Sequence, residues 1–208
     1  MISFAITTHN EGEYIQKLLD QLVPFCEKNG DEIVVLDDNS TDVFTQNVLY
    51  GYAEKEYIKL HTREFTGDFS EHKNYLNSLC SGEYIFQVDA DEYFNETLLN
   101  YLHDLTGHNP EIDLFWIPRV NIVNGLTQDD IRNWGWQVNE KNWVMFPDYQ
   151  GRLYKNNENI KWSRRVHERI TGHKFEAPLP AEEEWSLIHI KDINRQREQN
   201  KLYDTLTQ

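Results

Sequence analysis

The middle of the chain carries an apolar run that ends in acids, Tyr84-Ile85-Phe86-Gln87-Val88-Asp89-Ala90-Asp91-Glu92. Gly82 precedes this run and Asn95 follows it, so turn-forming residues bound a short apolar segment that is typical of a buried strand. The carboxylates of Asp89 and Asp91 would emerge together where the strand ends. Carboxylate oxygens are ligands that Mg²⁺ and Mn²⁺ prefer. The stretch therefore predicts a divalent-metal site for a phosphorylated ligand.

Strand and helix patterns alternate through the first half of the chain. Apolar runs at residues 2–7, 32–36, 57–61 and 84–88 predict strands, and segments with helical spacing of apolar residues separate them. Strands of this kind, nearly continuous in apolar residues, indicate a parallel sheet that helices cover on both faces. In such sheets, ligands bind beyond the carboxyl ends of the strands. We therefore predict an α/β fold.

Polar clusters follow three of the predicted strands: Thr8-His9-Asn10-Glu11, Asp37-Asp38-Asn39-Ser40-Thr41-Asp42 and Asp89-Ala90-Asp91. The carboxyl ends of parallel strands meet at one edge of a sheet, so we expect the three clusters to share a crevice. Asp37 and Asp38 can accept hydrogen bonds from the ring N–H of a base or from ribose hydroxyls. The clusters together predict a nucleoside-binding site.

Some of these polar residues also fit simpler roles at helix ends. Asn10 and Glu13 have the spacing of a capping box, and Gly30 fits the exit of the same helix. Ser40 or Thr41 fits the N-cap of the second helix.

The second half of the chain has a weaker pattern. Residues 121–147 are rich in Asn, Asp and Trp without a clear period, which predicts a long loop. Residues 150–154, 160–162 and 166–170 predict short strands of a second layer. A charged segment, 194–208, predicts a C-terminal helix packed by Leu202, Tyr203 and Leu206.

Charge and composition exclude several classes of partner. The formal net charge of −15 argues against nucleic acid or an anionic membrane surface, because both attract clustered Lys and Arg. Cys26 and Cys80 lack metal-site spacing and predict reduced thiols. No leader-like start and no run of eighteen apolar residues is present, so we expect a cytoplasmic protein without an integral membrane segment. The oligomeric state stays open.

Four motifs together resemble the N-terminal half of family-2 glycosyltransferases of the GT-A fold. They are Ile6-Thr7-Thr8-His9-Asn10-Glu11, Val35-Leu36-Asp37-Asp38-Asn39-Ser40-Thr41-Asp42, His72-Lys73-Asn74 and Phe86-Gln87-Val88-Asp89-Ala90-Asp91-Glu92. The resemblance implies a Rossmann-like, mostly parallel central sheet plus a small second sheet. It implies one domain over 1–208, with a nucleotide-sugar-binding half at 1–105, an acceptor and catalytic half at 106–193 and the helix at 194–208.

The resemblance also implies roles for individual residues. A uridine-diphosphate sugar would be held by Thr8, Asn10, Glu11, Asp37, Asp38, Lys73, Asp89 and Ala90. Mn²⁺ or Mg²⁺ would be ligated by Asp91, with Asp89 near it. His189 resembles the C-terminal histidine that completes the metal site in many relatives. A core histidine bonded to a backbone carbonyl is the alternative for His189.

The second half resembles, more loosely, the branch of the family that adds glucose or a similar sugar to bacterial surface glycans. Relatives often carry their base in a Glu-Asp pair, which is missing here. Glu168 is our first choice for the base, and Asp148 and Glu92 are the other candidates. The alternative for Glu168 is an ion pair with a neighbouring arginine. Sugar stacking in an acceptor groove is predicted for Trp134, Trp136, Trp143 and Tyr149.

The predicted reaction is inverting transfer of a sugar from UDP-glucose or a similar donor to a glycan hydroxyl. One rival is a nucleotidyltransferase that forms nucleotide-sugars, but the first predicted strand is not followed by the Gly-rich loop that such an enzyme needs. A non-catalytic sugar-binding module is the rival from another class. A phosphatase with Asp89 as nucleophile is disfavoured, because such folds carry the paired acids after the first strand.

Overall fold

A computed structural model describes residues 1–198, and two β-sheets with flanking helices form its frame. In chain order the elements are β1 (Ile2–Thr8), α1 (Gly12–Asn29), β2 (Glu32–Asp37), α2 (Val43–Glu54), β3 (Lys59–Thr62), α3 (Phe69–Ser78), β4 (Tyr84–Asp89), β5 (Glu92–Phe94), α4 (Glu96–His108), β6 (Leu114–Ile117), β7 (Arg119–Asn124), α5 (Gln128–Trp134), β8 (Gln150–Lys155), β9 (Lys161–Ser163), β10 (Arg169–Thr171), β11 (Glu176–Pro178) and β12 (Leu187–Asp192).

The larger sheet has seven strands in the order β11-β6-β8-β4-β1-β2-β3. The four strands β1 to β4 run parallel, as predicted. β8 runs antiparallel to both of its neighbours, β4 and β6, and β11 is parallel to β6. Six of the seven strands therefore point the same way, which confirms the predicted mostly parallel α/β sheet.

Helices cover this sheet on both faces because its strand side chains alternate between two apolar clusters. Phe4 packs with Phe86 and the apolar face of α1 in the larger cluster. Ala5, the next residue of β1, belongs to the second cluster, where Leu76 of α3 covers the opposite face. The runs of buried residues that predicted these strands arise from this double coverage.

Two helix starts differ from the predicted capping. Asn10 has a left-handed backbone (φ +54°) and lies outside α1, whose N-cap is Glu11, so the predicted capping box is absent. Asp42 caps α2 by accepting a hydrogen bond from the Thr45 amide, in place of Ser40 or Thr41. Gly30 does end α1 in the left-handed conformation, as predicted.

The small sheet has the order β5-β12-β7, and it brings polar side chains together. His189 of β12 lies in register with Glu92 of β5 on one side and with Asn121 of β7 on the other. Residues in register project from the same face of a sheet. Arg119 and Lys191, each two residues away along its strand, share that face. Five of the eight residues on this face of the small sheet are therefore polar.

The second half of the chain is more ordered than its sequence indicated. β7 and α5 lie within or across the predicted loop at 121–147. β8 belongs to the larger sheet and not to a second layer, whereas β9 and β10 form a separate hairpin. Glu168 precedes β10 and is not part of a strand. Residues 193–198 are helical, but Leu202, Tyr203 and Leu206 lie outside the described residues.

The predicted division at residue 105 stays a prediction. Strands from both predicted halves enter each of the two larger sheets. Within residues 1–198, every helix is too short or too polar to cross a bilayer.

Candidate active site

A cleft of about 890 Å³ opens at the carboxyl ends of β1 and β4, above the polar face of the small sheet. Most of the predicted site residues line it: Thr8, Glu11, Asp38, Lys73, Asp89, Ala90, Asp91, Asp148, Glu168 and His189. Of the residues predicted to hold the nucleotide-sugar, Asn10 and Asp37 do not line it. The strand ends of a parallel sheet thus converge as the sequence indicated.

Asp91 and His189 meet at the floor of the cleft. His189 Nε2 lies 3.3 Å from Asp91 Oδ2, and both residues are less than 10% exposed. The other ring nitrogen, Nδ1, contacts Asn121 Oδ1 at 2.8 Å and not a backbone carbonyl. Burial opposes the charged form of Asp91, but the contact with His189 outweighs burial and lowers the pKa of Asp91 to about 2.

Cations surround this pair. Lys191 and Arg195 line the cleft beside Asp91, and an Arg195 nitrogen lies 3.9 Å from Asp91 Oδ2. Arg195 also forms an ion pair with Glu11. Burial raises the pKa of Glu11 despite this pairing, and burial lowers the pKa of Lys191. The neighbouring charges therefore do not fully offset burial at Glu11 and Lys191.

Asp89 faces a different set of partners. Its Oδ2 accepts a 2.6 Å hydrogen bond from Arg152, and its Oδ1 lies 3.9 Å from Lys73 Nζ. Although burial opposes ionisation, Arg152 and Lys73 hold the pKa of Asp89 well below its usual range. Of the three predicted metal ligands, Asp91 and His189 therefore contact each other, whereas Asp89 is held by two cations.

A buried ion cluster supports Asp89 from below. Glu92 is fully buried and accepts hydrogen bonds from Arg152 at 2.6 Å and Arg119 at 2.9 Å. It also accepts from the amide of Asp89 at 3.1 Å. Glu92 does not line the cleft, so it is poorly placed to reach a substrate hydroxyl.

Asp148 is the most heavily hydrogen-bonded candidate for the base. Its Oδ2 accepts from Arg119 and from Asn121 at 2.7 Å, and its Oδ1 accepts from Gln150 at 2.9 Å. Burial opposes its ionisation, but Arg119 and these hydrogen bonds lower the pKa of Asp148. A carboxylate held in this way is a weaker proton acceptor.

Glu168 also lines the cleft. Its partner is Lys73, whose Nζ donates a 2.6 Å hydrogen bond to Glu168 Oε1, and not one of the adjacent arginines. Lys73 also packs over the Trp162 ring at 4.5 Å. The loop before Glu168 contains two non-glycine residues in the left-handed region, Arg164 (φ +78°) and His167 (φ +54°). Backbone strain of this kind is common at functional sites.

Residues near the nucleoside end divide into two groups. Asn10 Oδ1 accepts from the amides of Thr41 and Asp42, and Asp37 accepts from Ser40, so these two side chains hold the loop after β2. Asp38 and Thr8 face the cleft. The Asp38 carboxylate accepts from the Phe65 amide at 2.7 Å, and the buried Thr8 hydroxyl has no partner within the described residues.

The aromatic groove is smaller than predicted. Of its four predicted members, Trp136 lines the cleft, with Trp134 packed against it at 4.6 Å between ring centroids. Trp143 is buried, and the Tyr149 hydroxyl donates to the Leu179 carbonyl. Trp162, which the groove prediction did not include, lines the wall that carries Glu168.

The residues present fit a hard divalent cation. Asn121 holds one nitrogen of His189, so the other nitrogen faces Asp91, and two such ligands can share a cation. Over residues 1–198, no group of three His, Cys, Asp or Glu side chains converges as a metal site. Two protein ligands are nevertheless enough for Mg²⁺ or Mn²⁺ when phosphate oxygens complete the coordination.

Several cleft residues escaped prediction from the sequence. They are Arg119, Asn121, Arg152, Lys191 and Arg195. Four of them lie in strands, as at Arg152, which is 3% exposed, whereas Arg195 lies in the helical segment 193–198. With Lys73, the four cations among them offset much of the negative charge of the acids that line the cleft, which an anionic ligand requires.

The fold is that of the GT-A glycosyltransferases. A crystal structure of residues 1–349 of Staphylococcus aureus TarS in complex with UDP-GlcNAc superposes with a TM-score of 0.63 at 19% identity, covering 91% of this chain and 58% of that one. The family model of Glycosyl transferase family 2 matches residues 3–175. The chain therefore belongs to Glycosyl transferase family 2, and the predicted family is confirmed.

Two curated relatives show where the similarity lies. Poly(ribitol-phosphate) beta-N-acetylglucosaminyltransferase TarS of Staphylococcus aureus is 31% identical over 122 residues, 57% of this chain and 21% of that protein. Poly(ribitol-phosphate) beta-glucosyltransferase of Bacillus spizizenii is 29% identical over 124 residues, 58% of this chain and 19% of that protein. The chain thus spans about a fifth of the length of these relatives.

Proposed function

We propose that this glycosyltransferase is metal-dependent and inverting, and that it transfers a sugar from UDP-glucose or a similar UDP-sugar to a glycan hydroxyl. The observation that carries the proposal is the contact between Asp91 and His189 at the strand ends, beside Lys191 and Arg195. A diphosphate needs positive charge, and a carboxylate-histidine pair among cations provides for both phosphate and metal. The names of the relatives, which act with N-acetylglucosamine or glucose, support a hexose-type donor.

The residues of the cleft divide between leaving group and acceptor. Asp91 and His189 would hold Mn²⁺ or Mg²⁺, which stabilises the charge that develops on a departing diphosphate. Asp38 and Thr8 would bind the nucleoside, and Arg195 and Lys191 would face the phosphates. On the acceptor wall, Glu168 would take the proton of the attacking hydroxyl as its oxygen bonds to the anomeric carbon and the bond to the diphosphate breaks.

The acceptor proposal is a glycan hydroxyl bound near Trp136. An aromatic ring at the mouth of a polar cleft is suited to stack on a sugar face, and Trp136 lies on the β7–β8 connection that forms this part of the rim.

The proposal includes a cytoplasmic location, which the two unpaired cysteines, Cys26 and Cys80, support.

Release of UDP from UDP-glucose and UDP-N-acetylglucosamine in the presence of Mn²⁺ tests the proposal. We expect Asp91→Asn to abolish metal-dependent release while the far-ultraviolet circular dichroism stays unchanged. Asp129→Asn is the matched control, because the Asp129 side chain is 78% exposed on α5 and pairs only with Arg132 in the described structure. Undiminished release in excess EDTA would refute the metal role. Absence of release from every UDP-sugar would favour a non-catalytic sugar-binding module.

A further inference from the structure

Asn121 contacts two candidate site residues, His189 and Asp148. It lies on β7 in register with His189, and a backbone bridge to Val144 holds it from the other side. Its Nδ2 donates to Asp148 Oδ2 at 2.7 Å and to the Val144 carbonyl at 3.3 Å. Its Oδ1 lies 2.8 Å from His189 Nδ1. One amide group thus contacts both His189 and Asp148.

The orientation of this amide follows from its partners. A carboxylate and a carbonyl oxygen only accept hydrogen bonds, so the NH₂ group of Asn121 must face Asp148 and Val144. The amide oxygen then faces His189. Since that oxygen also only accepts, His189 Nδ1 must carry a hydrogen to make the 2.8 Å contact.

The position of this hydrogen decides which ring nitrogen of His189 has a lone pair for a cation. A neutral imidazole with its hydrogen on Nδ1 has a lone pair on Nε2 for a cation. Without a cation, the 3.3 Å contact between Nε2 and Asp91 Oδ2 is a hydrogen bond that needs a second hydrogen on Nε2, and a bound cation would replace that hydrogen. The opposite tautomer would direct an N–H at the same position and exclude a metal from Nε2. Hydrogen bonds to the second nitrogen of a ligating histidine fix its tautomer in many metal sites.

We propose that Asn121 is a positioning residue that fixes His189 in the Nδ1–H tautomer, so that Nε2 and Asp91 together are ready to bind a divalent cation. This inference rests on the proposed function in that a cation is expected at this pair. Asn121 would also tie the histidine to Asp148, and through Asp148 to Arg119. It reaches the reaction through His189 and does not need to touch the substrate.

Nuclear magnetic resonance of ¹⁵N-histidine-labelled protein tests the tautomer without any metal or activity. The cation-free wild type is recorded first, and we expect the ¹⁵N shifts to show a hydrogen on His189 Nδ1. Asn121→Gln keeps both an amide oxygen for Nδ1 and an NH₂ group for Asp148, and should keep this hydrogen on Nδ1. Asn121→Ala removes the acceptor and should give a mixture of the two tautomers. The control Asn124→Ala, at the exposed end of the same strand, should match the wild type.

Titration with Mn²⁺ in the presence of UDP provides the second readout. We expect Asn121→Ala to weaken Mn²⁺ binding about 10- to 100-fold, the usual effect of losing such a partner, and Asn121→Gln to recover most of it. An Nε2–H tautomer in the wild type would overturn the inference even if Asn121→Ala did not fold. So would an unchanged tautomer in a folded Asn121→Ala protein. A wild type with the expected tautomer but no Mn²⁺ binding would instead overturn the metal role in the proposed function.

Discussion

Asp89 and Asp91 are two residues apart, yet they have different neighbours. Asp89 contacts Arg152 and Lys73, whereas Asp91 contacts His189 and faces Arg195. The difference arises because Asp89 ends β4 and Asp91 lies in the turn that leads to β5. Two acids that look equivalent in sequence are therefore suited to different tasks, with only Asp91 paired with a second metal-type ligand.

Replacement of Glu168 tests the assignment of the base. We expect Glu168→Gln to leave UDP binding intact and to reduce transfer about 10²- to 10⁴-fold, because the amide cannot accept the proton of the acceptor hydroxyl. Isothermal titration with UDP and Mn²⁺, together with product formation by mass spectrometry, measures the two effects separately. The comparison variant is Asp148→Asn. Full transfer by Glu168→Gln and loss of transfer by Asp148→Asn would reassign the base to Asp148.

Replacing the buried Arg152 should lower the free energy of unfolding more than replacing the exposed Arg132 does. Arg152 is 3% exposed and balances both Asp89 and Glu92. Arg152→Met leaves Glu92 with Arg119 alone and Asp89 with Lys73 alone, and we expect a loss of about 3–5 kcal/mol in the free energy of unfolding. Arg132→Met, which removes an exposed ion pair on α5, should cost less than about 1 kcal/mol.

Urea denaturation measures both losses. Adding Glu92→Gln to Arg152→Met removes the charge of one of the two carboxylates that contacted Arg152. The double variant should therefore recover part of the lost stability. A loss below about 1 kcal/mol for Arg152→Met would show that water replaces the arginine at little cost.

At the scale of elements, Glu32 ties together the beginnings of three parallel strands. At the start of β2, it accepts hydrogen bonds from Ser3 of β1, from Lys59 of β3 and from Ser81, shortly before β4. Burial opposes its ionisation, but these partners outweigh burial and lower the pKa of Glu32 to about 2. Glu32 and its partners lie at the end of the sheet opposite the cleft.

This lowered pKa predicts an acid-sensitive part of the stability. The unfolded chain protonates Glu32 near pH 4.3, whereas the folded protein does so near pH 2, so the contribution is complete above about pH 5 and disappears as the pH falls through about 2. We expect Glu32→Gln to lose about 2 kcal/mol at neutral pH and to differ less and less from the wild type in acid. Urea denaturation at several pH values measures this difference.

The control for this experiment is Glu27→Gln, an exposed position at the end of α1. It should follow the wild type at every pH. A Glu32→Gln protein whose deficit stayed constant down to about pH 2 would show that the lost stability comes from packing and not from the charge.

At the scale of the whole molecule, the cation and the nucleotide should stabilise the fold together. Asp91 and His189 leave coordination positions for phosphate oxygens, so we expect UDP with Mn²⁺ to raise the free energy of unfolding by about 2.7 kcal/mol at a hundredfold excess over the dissociation constant. Uridine with Mn²⁺ is the control that lacks the diphosphate. Thermal denaturation with and without EDTA measures the shift, and an equal shift in EDTA would contradict the shared site.

Much of the fold was predictable because its signals are local. β1 to β4 are short runs buried on both faces, and their polar ends mark one edge of the sheet before any pairing is known. The place of β8 was not predictable in this way. A strand's neighbours are set by contacts distant in sequence, and Gln150–Lys155 carries no local sign that it lies antiparallel between β4 and β6.

The site shows the same limit. Asp91 and His189 were predicted from strand ends and from resemblance, but Asn121 begins the segment that was predicted as a loop, and Arg119 lies just before it. Their roles depend on the register of β7 with β12, which no short motif encodes. Asn10 and Asp37 were predicted to bind the ligand. Their side chains instead accept hydrogen bonds from residues of the loop after β2.

The turn at Asp89-Ala90-Asp91 also connects the larger sheet to the small sheet. β4 before it is locked in register with β1, and β5 after it is locked in register with β12. One added residue in the turn would shift β5 along β12, exchange its inner and outer faces and remove Glu92 from its two arginines. The spacing of the two acids is therefore constrained by the architecture on either side as well as by the chemistry.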